Sequence, residues 1–211
     1  MRKCVYFVKQ CKNDPPGPRL AAGYGFQRDG AWRQIPLPED AEGLLLDDRF
    51  APSRQGLEAA AAALAAWEGF LVLDFERPPG PWAGALAARL PARRLICPPE
   101  LAELPHAAVL VGPWLGGGSF ARWLETLRRR WGALLLDGAP LRRRLRPGCP
   151  GADWEGPLPD SGFPCPAALC LHRRLPDGSL LLWDTKETLT ARHGAAGVPV
   201  VLFQSDWNAL P

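Results

Sequence analysis

The sequence predicts an α/β fold, a small (β/α)8 barrel of the TIM type with a β-hairpin near the C-terminal end. Two observations predict it: eight short apolar runs, and helical segments between several of them. Continuous apolar runs of this length are typical of strands buried on both faces of a parallel sheet. An open, doubly wound sheet is the alternative arrangement. The runs cover residues 4–8, 21–26, 43–48, 70–76, 94–97, 107–111, 133–137 and 200–204.

The segments between these runs have helical features. Residues 55–67 are rich in alanine and follow Pro52-Ser53, a plausible helix start. Residues 119–131 are amphipathic, with one apolar face formed by Phe120, Trp123, Leu124 and Leu127. Shorter helices are predicted over residues 82–90 and 188–193. The alternation of strand and helix predicts right-handed βαβ units.

One region interrupts this alternation. Residues 145–166 are rich in proline and glycine and predict a long loop. Two apolar runs then flank Pro176-Asp177-Gly178, so residues 167–183 predict a β-hairpin. Loop and hairpin together form an insertion over residues 145–183. Since no linker composition occurs elsewhere, we expect one domain over residues 1–211.

Composition excludes several classes of protein. The chain has 211 residues, 47% of them apolar and 22% charged, which is typical of a globular protein. A net charge of +3 is too small to indicate nucleic-acid binding. No run of 18 apolar residues predicts a membrane span, and the first residues lack the long apolar stretch of a signal peptide. We therefore expect a cytoplasmic protein with its six cysteines as free thiols.

Acidic and aromatic residues follow several of the predicted strands. In a parallel barrel, function lies at the C-terminal ends of the strands. Carboxylates carry protons and flat rings stack on sugars, so the predicted ligand is a glycan or another small molecule. Each acid taken alone is also explained by solvation of a loop start. The candidate residues are Asp47, Asp74, Glu76, Trp114, Asp137, Gln204 and Trp207.

Asp74 and Glu76 are the strongest candidates for catalysis. Side chains alternate along a strand, so these two acids are predicted on one side and Phe75 on the other. Two carboxylates held this close cannot both ionise easily, and one keeps its proton near neutral pH. A glycosidase needs such an acid to protonate the leaving oxygen.

Two segments resemble the family 18 glycoside hydrolases, the chitinase-like proteins. Residues 66–76, Ala-Trp-Glu-Gly-Phe-Leu-Val-Leu-Asp-Phe-Glu, resemble the fourth-strand signature Asp-Gly-x-Asp-x-Asp-x-Glu. Residues 182–192 resemble the family's segment of aromatic, acidic, Ser/Thr-Leu and basic residues after a hairpin. Residues 197–204 are similar to its last strand. The order of these pieces matches from about residue 43 to residue 207.

The resemblance implies a TIM barrel in which Glu76 is the general acid. Asp74 would then orient the N-acetyl group of the substrate, whose oxygen attacks the anomeric carbon. No cofactor and no metal are implied. Two departures favour a non-catalytic relative that binds a sugar or a protein: Val72 stands where the family has an acid, and no tyrosine other than Tyr6 and Tyr24 is present.

Further hypotheses concern the basic residues and histidines. A metal-assisted phosphodiesterase would use Asp47, Asp74, Glu76 and Asp137 with the arginines between residues 128 and 146. These arginines form either a solvated surface or an anion-binding group beyond a strand end. His172 and His193 lack the spacing of a metal site and are expected on the surface. Substrate, retention of catalysis and oligomeric state stay open.

Overall fold

The computed structural model describes residues 5–9, 19–33, 35–36, 39, 41–75, 78–115 and 118–211. Its contacts divide the chain into two compact units. The strand unit comprises Tyr6–Val111 and Trp131–Leu135, and the hairpin unit comprises Met1–Val5, Gly112–Arg130 and Leu136–Pro211. The single domain over residues 1–211 stays a prediction.

Parallel strands build the strand unit. Each of the first five strands pairs in parallel with the next one along the chain. The backbone N–H of Val109 then donates to Ala133 O at 3.0 Å, at the entry to β7 (Leu134–Asp137). The prediction of an α/β fold with a parallel sheet is confirmed. The six strands are β1 (Val5–Lys9), β2 (Arg19–Tyr24), β3 (Gly43–Asp47), β4 (Phe70–Asp74), β5 (Leu95–Cys97) and β6 (Ala108–Val111).

Helices follow only some of these strands. α1 (Arg54–Ala65) starts at Ser53, whose Oγ accepts a hydrogen bond from Gly56 N at 3.0 Å. α2 (Pro81–Ala87) has a proline in its first turn, where no N–H is needed. Short 3-10 helices cover Ala92–Arg94 and Pro99–Leu101. The described part of the chain has five α-helices, fewer than eight complete β/α units require.

The core of the strand unit fixes which way each strand faces. Leu71 and Leu73 of β4 pack in one apolar cluster with Leu64 of α1 and Leu86 of α2. Since side chains alternate along a strand, Val72 and Asp74 face away from these helices. The same cluster contains Leu44 and Leu46 of β3, so Asp47 also faces away from the helix layer.

The hairpin unit contains a separate antiparallel sheet of five strands in the order β10-β11-β12-β8-β9. The predicted hairpin is confirmed, because Arg174 of β11 pairs with Leu180 of β12. The predicted long loop over residues 145–166 is corrected: it holds two further short strands. The strands are β8 (Arg142–Leu145), β9 (Ala152–Asp153), β10 (Phe163–Cys165), β11 (Cys170–Arg174) and β12 (Leu180–Trp183).

The hairpin unit also contains a parallel strand pair and three helices. β13 (Val200–Phe203) runs parallel to β7, with Val200 opposite Leu136. α3 (Phe120–Trp131), α4 (Lys186–Ala196) and α5 (Gln204–Asn208) are helices. α4 begins with a capping box between Thr185 and Thr188. No helix among the described residues is long and apolar enough to cross a bilayer.

Candidate functional site

The structure brings two of the predicted acids together at the end of the parallel sheet. Asp47 and Asp74 are the last residues of β3 and β4, and they are register partners. Neighbouring strands lie about 4.8 Å apart, and register partners point to the same side. Both side chains are half-buried and face away from α1 and α2. The two carboxylates are therefore neighbours on one surface.

The backbone around Asp47 holds its carboxylate in place. Its Oδ1 accepts a hydrogen bond from Arg49 N at 3.1 Å. A Cβ built on Gly25 would lie 2.9 Å from this oxygen, so only glycine leaves room for the carboxylate there. One face of Asp47 thus lies against the chain that follows β2.

Phe75 confirms the predicted alternation at the end of β4. Its ring lies 5.3 Å from the ring of Trp82 in α2 and packs against the apolar cluster of the strand unit. Phe75 therefore faces the helices, whereas Asp74 faces away from them. Glu76, the predicted general acid, lies outside the described residues, as does Arg77.

An open groove lies at the same end of the sheet as the two aspartates. Its volume is about 600 Å³, within the range of small-molecule sites. Aromatic rings contribute one part of the wall, and amide and guanidinium groups contribute the other. Its lining residues, from the segments that follow β2 and β3, are Gln27, Arg28, Ala31, Trp32, Arg33 and Phe50.

A tight turn fixes the wall of this groove. Phe26 and Trp32 form an isolated antiparallel bridge, and their rings meet edge to face at 5.6 Å. Gly30 in the turn has φ +79°, a conformation that favours glycine. Its carbonyl oxygen accepts a hydrogen bond from Ser53 N at 2.8 Å, which ties the turn to the start of α1.

Arg28 and Arg33 of the groove differ in their environment. Arg33 donates to Gly23 O at 2.7 Å, so its position is fixed by the backbone. Arg28 is exposed, and no hydrogen bond or ion pair joins it to another described residue. The groove therefore offers one guanidinium held by the backbone and one exposed guanidinium to a polar ligand.

A second open groove lies at the opposite end of β4. It has a volume of about 580 Å³ and is lined by residues of the α1 C-terminus, the start of β4 and the 3-10 helix, among them Glu68, Arg93 and Arg94. In parallel α/β barrels this end of the strands contributes to stability, whereas activity lies at the other end. It therefore serves as a reference region for substitutions.

Trp114, which we predicted as a stacking platform, belongs to the hairpin unit and is covered there. Its side chain is 8% exposed, and its ring lies 5.2 Å from Trp123 and 5.9 Å from Phe120. Its indole Nε1 is buried and has no hydrogen-bond partner. A ring in this position can stack on a sugar only after its neighbours move.

Trp114 lines a small cavity together with Asp137 and His193. The cavity volume is about 10 Å³, which is the space of one water molecule. Burial raises the pKa of Asp137, the hydrogen bond from Ala139 N lowers it, and the charge of Asp206 raises it. This cavity does not accommodate a sugar ring.

His193 was expected on the surface, and the structure shows it half-buried. Its Nε2 is buried, with the backbone of Gly138 beside it. Burial lowers the pKa of His193 to about 4, and the neighbouring charge of Arg192 lowers it further, while the Gly138 backbone raises it. The imidazole is consequently neutral at pH 7.

Gln204 and Trp207 both belong to α5. Gln204, predicted as the end of a strand, is instead the first residue of this helix, and its buried Oε1 has no hydrogen-bond partner. Trp207 is half-buried. Asp206, between them, has a pKa that burial raises.

The arginines that follow β7 have structural partners, which argues against an anion-binding group. Arg143 pairs with Asp153 at 2.9 Å, and Arg144 pairs with Asp177 and lies 5.5 Å from the ring of Trp154. The hydrogen bond from Ser179 lowers the pKa of Asp177 to about 2, with a smaller contribution from Arg144. These pairs hold the antiparallel sheet together.

The described residues offer no group of three His, Cys, Asp or Glu side chains arranged to hold a metal ion. The acids of the phosphodiesterase hypothesis are distributed over both units, with Asp47 and Asp74 in one and Asp137 in the other. Of the arginines in this hypothesis, Arg143 pairs with Asp153 and Arg144 pairs with Asp177. The structure therefore gives this hypothesis no support.

Sequence reasoning missed the residues of the groove. Gln27, Arg28, Trp32 and Arg33 surround Asp29-Gly30, a dipeptide typical of tight turns. An aromatic residue on each side of that turn was the available signal. Comparison with protein families, curated proteins and solved structures found no match to this chain.

Proposed function

We propose that the chain is a glycoside hydrolase-like protein that acts on, or binds, a glycan at the C-terminal ends of β2, β3 and β4. The observation that carries this proposal is the register pair Asp47–Asp74, which faces away from the helices at the end of the parallel sheet where an open groove also lies. Paired carboxylates with aromatic rings and hydrogen-bond donors nearby are the chemistry of a sugar site.

In this proposal Glu76 is the general acid. It donates a proton to the leaving oxygen of the glycosidic bond, and Asp74 orients the substrate at the same strand end. Asp47 holds a sugar hydroxyl beside Asp74. Arg28, Gln27 and the ring of Phe50 contact the neighbouring sugar units in the groove.

We also propose that the parallel strands close into a small barrel of the (β/α)8 type. The five parallel pairings from β1 to β6 and the parallel pair β7–β13 support this, since barrels of this class close with eight parallel strands. The described residues between β1 and β3 contain no helix, so the proposed barrel has fewer helices than a complete (β/α)8 barrel. A cytoplasmic location remains part of the proposal.

A non-catalytic glycan-binding protein is the second candidate. Val72 shares the face of Asp74 and is fully buried, at the place where the resembled family has a further acid. An apolar neighbour cannot accept or relay a proton. Valine in place of an acid at position 72 leaves the surface that binds the glycan intact and removes one carboxylate from the residues that would carry out hydrolysis.

Hydrolysis of a panel of fluorogenic glycosides by the wild type and by Glu76→Gln tests the proposal. The amide keeps the size of the side chain and removes its proton, so turnover falls by about 10²–10⁴-fold. Glu68→Gln is the matched control, because Glu68 is exposed at the opposite end of β4. Its rate stays at the wild-type value.

Thermal-shift measurements with chitooligosaccharides and with acidic oligosaccharides complete the test. Phe50→Ala is expected to reduce the shift, because it removes a ring from the groove. Ligand-dependent shifts without turnover identify the binding protein. Turnover that Glu76→Gln leaves unchanged excludes Glu76 as the acid, and the absence of both turnover and shifts overturns the proposal.

A further inference from the structure

Two cysteines face each other in the antiparallel sheet of the hairpin unit. Cys165 of β10 and Cys170 of β11 are direct register partners. Such partners have Cα atoms about 4.5–5.5 Å apart, and disulfides form at Cα separations of about 4.4–6.8 Å. Register partners on adjacent strands point to the same face of the sheet, so the two sulfurs are neighbours. Both thiols are free in the structure.

The two thiols differ in their access to solvent. Cys165 is half-buried at the edge strand β10, whereas Cys170 is 2% exposed in the apolar cluster with Leu141, Ala168 and Leu182. Burial raises the pKa of Cys170 to about 12. A dissolved reagent therefore meets Cys165 first, and Cys170 reacts only with a group already attached to its neighbour.

We propose that Cys165 and Cys170 are a redox pair, in which Cys165 is the attacking thiol and Cys170 the resolving thiol. The oxidant is a low-molecular-weight disulfide. This proposal concerns the hairpin unit and is independent of the glycan site in the strand unit.

The reaction has two exchange steps. The Cys165 thiolate attacks one sulfur of the small disulfide, forms a mixed disulfide and releases one small thiolate. The Cys170 thiolate then attacks Sγ of Cys165, forms the protein disulfide and releases the second small thiolate. The two protons of the protein thiols end on the two released thiols. The protein pair loses two electrons, and the small disulfide gains them.

The pair closes a turn that supports the start of a helix. Leu169, in this turn, donates its N–H to Cys165 O at 2.8 Å. Ala167 O accepts a hydrogen bond from Phe120 N, the first residue of α3, at 2.8 Å. A disulfide between residues 165 and 170 therefore fixes the turn on which α3 begins.

Alkylation after treatment with 2-hydroxyethyl disulfide tests the proposal. The tryptic peptide over residues 145–173 contains Cys149, Cys165 and Cys170. In untreated protein, alkylation in denaturant exposes Cys170 and labels all three thiols. After treatment, Cys165 and Cys170 carry neither the alkyl label nor an adduct and are joined with the loss of two hydrogens. Cys149, which is exposed, carries the 2-mercaptoethanol adduct as a mixed disulfide in place of the label. Dithiothreitol restores the three labels.

Three variants separate this pair from other thiols. Cys149→Ser, at an exposed position, leaves the disulfide unchanged. Cys170→Ala stops the reaction at the mixed disulfide on Cys165, and Cys165→Ala leaves Cys170 a free thiol. The proposal is overturned when treated wild type keeps its labels on residues 165 and 170, stays at the mixed disulfide, or joins Cys149 to either partner. The peptide masses of the treated wild type test the proposal even where a variant fails to fold.

Discussion

The two units of this protein place their acids in opposite environments. Asp184 of the hairpin unit is fully buried, and its carboxylate accepts hydrogen bonds from Leu141 N, Thr188 Oγ1 and both terminal nitrogens of Arg192. Asp47 of the strand unit is half-buried and accepts from the Arg49 backbone N–H. The first carboxylate has no capacity left for a ligand, whereas the second retains most of its lone pairs.

The number of hydrogen bonds that an acid already accepts distinguishes a structural acid from a functional one. The position of the acid after a strand does so less well. Asp184 follows β12 directly, as Asp47 follows the apolar run of β3. The hairpin unit neutralises its charges internally, with Arg192 on Asp184 and Arg143 on Asp153. Asp47, at the end of β3, has no such buried cationic partner among the described residues, and its printed hydrogen bond comes from a backbone N–H.

The largest effect is expected from removing the partner of Asp184. Arg192 is 3% exposed, and Asp184 is 0% exposed, so Arg192→Leu leaves an unpaired carboxylate in the interior. Breaking such a buried pair costs about 3–5 kcal/mol in the free energy of unfolding. Burial already raises the pKa of Asp184, and Arg192 is the main group that lowers it. Denaturant unfolding followed by circular dichroism measures the loss.

Arg129→Ala is the control for this experiment. Arg129 pairs with Glu125 at 3.0 Å, but the two side chains are 79% and 52% exposed. Exposed ion pairs on a helix contribute about 0.3–0.5 kcal/mol. A loss for Arg192→Leu as small as that for Arg129→Ala would show that the interior of the hairpin unit admits water to Asp184.

A smaller effect is expected beside Asp47. Ala at position 25 places a Cβ 2.9 Å from Asp47 Oδ1 and 3.1 Å from Asp47 O. Since the second atom belongs to the backbone, both the carboxylate and the end of β3 must shift. Gly25→Ala is expected to cost about 1–3 kcal/mol, as overpacking does, and to weaken glycan binding in the thermal-shift assay.

Gly84→Ala is the matched glycine substitution in the same unit. Position 84 lies inside α2, and a Cβ there meets no atom within 4 Å. Replacing a helical glycine by alanine stabilises by up to about 1 kcal/mol. Gly25→Ala behaving like Gly84→Ala would contradict the close approach of Gly25 to Asp47.

The sequence predicted the strands well because their signal is local. Leu44-Leu45-Leu46 and Leu71-Val72-Leu73 are buried on both faces, so each run is apolar without interruption. The hairpin around Asp177-Gly178 was also predicted from its local sequence. Asp47 and Asp74 were found by the same reasoning, since they end these runs.

What the sequence did not reveal depends on pairings distant along the chain. Arg143 and Arg144 lie in a strand where Asp153, Asp177 and Ser179 bind their side chains. No local sequence pattern predicts these partners. Trp32 reaches the groove because Gly30 packs on Ser53. His193 is half-buried with its Nε2 near Gly138, a proximity that spacing along the chain cannot show.

His193 provides the smallest and last test, because it asks whether the hairpin unit really excludes water from a charge. Its pKa is lowered from 6.5 to about 4, first by burial and then by Arg192. Between these values the unfolded chain binds a proton that the folded chain does not, so stability rises with pH and falls as pH decreases below about 6.5. The free energy of unfolding changes with pH by at most about 1.4 kcal/mol per pH unit for this one group.

Asp137 and Asp206 have the opposite effect on stability, since burial raises their pKa and their protonation favours the folded state at low pH. The difference between wild type and His193→Gln cancels these acids, and the variant should lose about 1 kcal/mol less between pH 6.5 and 5.5 in denaturant unfolding. Parallel curves for the two proteins would mean that His193 is protonated in the folded state, and the hairpin unit would then resemble the open end of the strand unit.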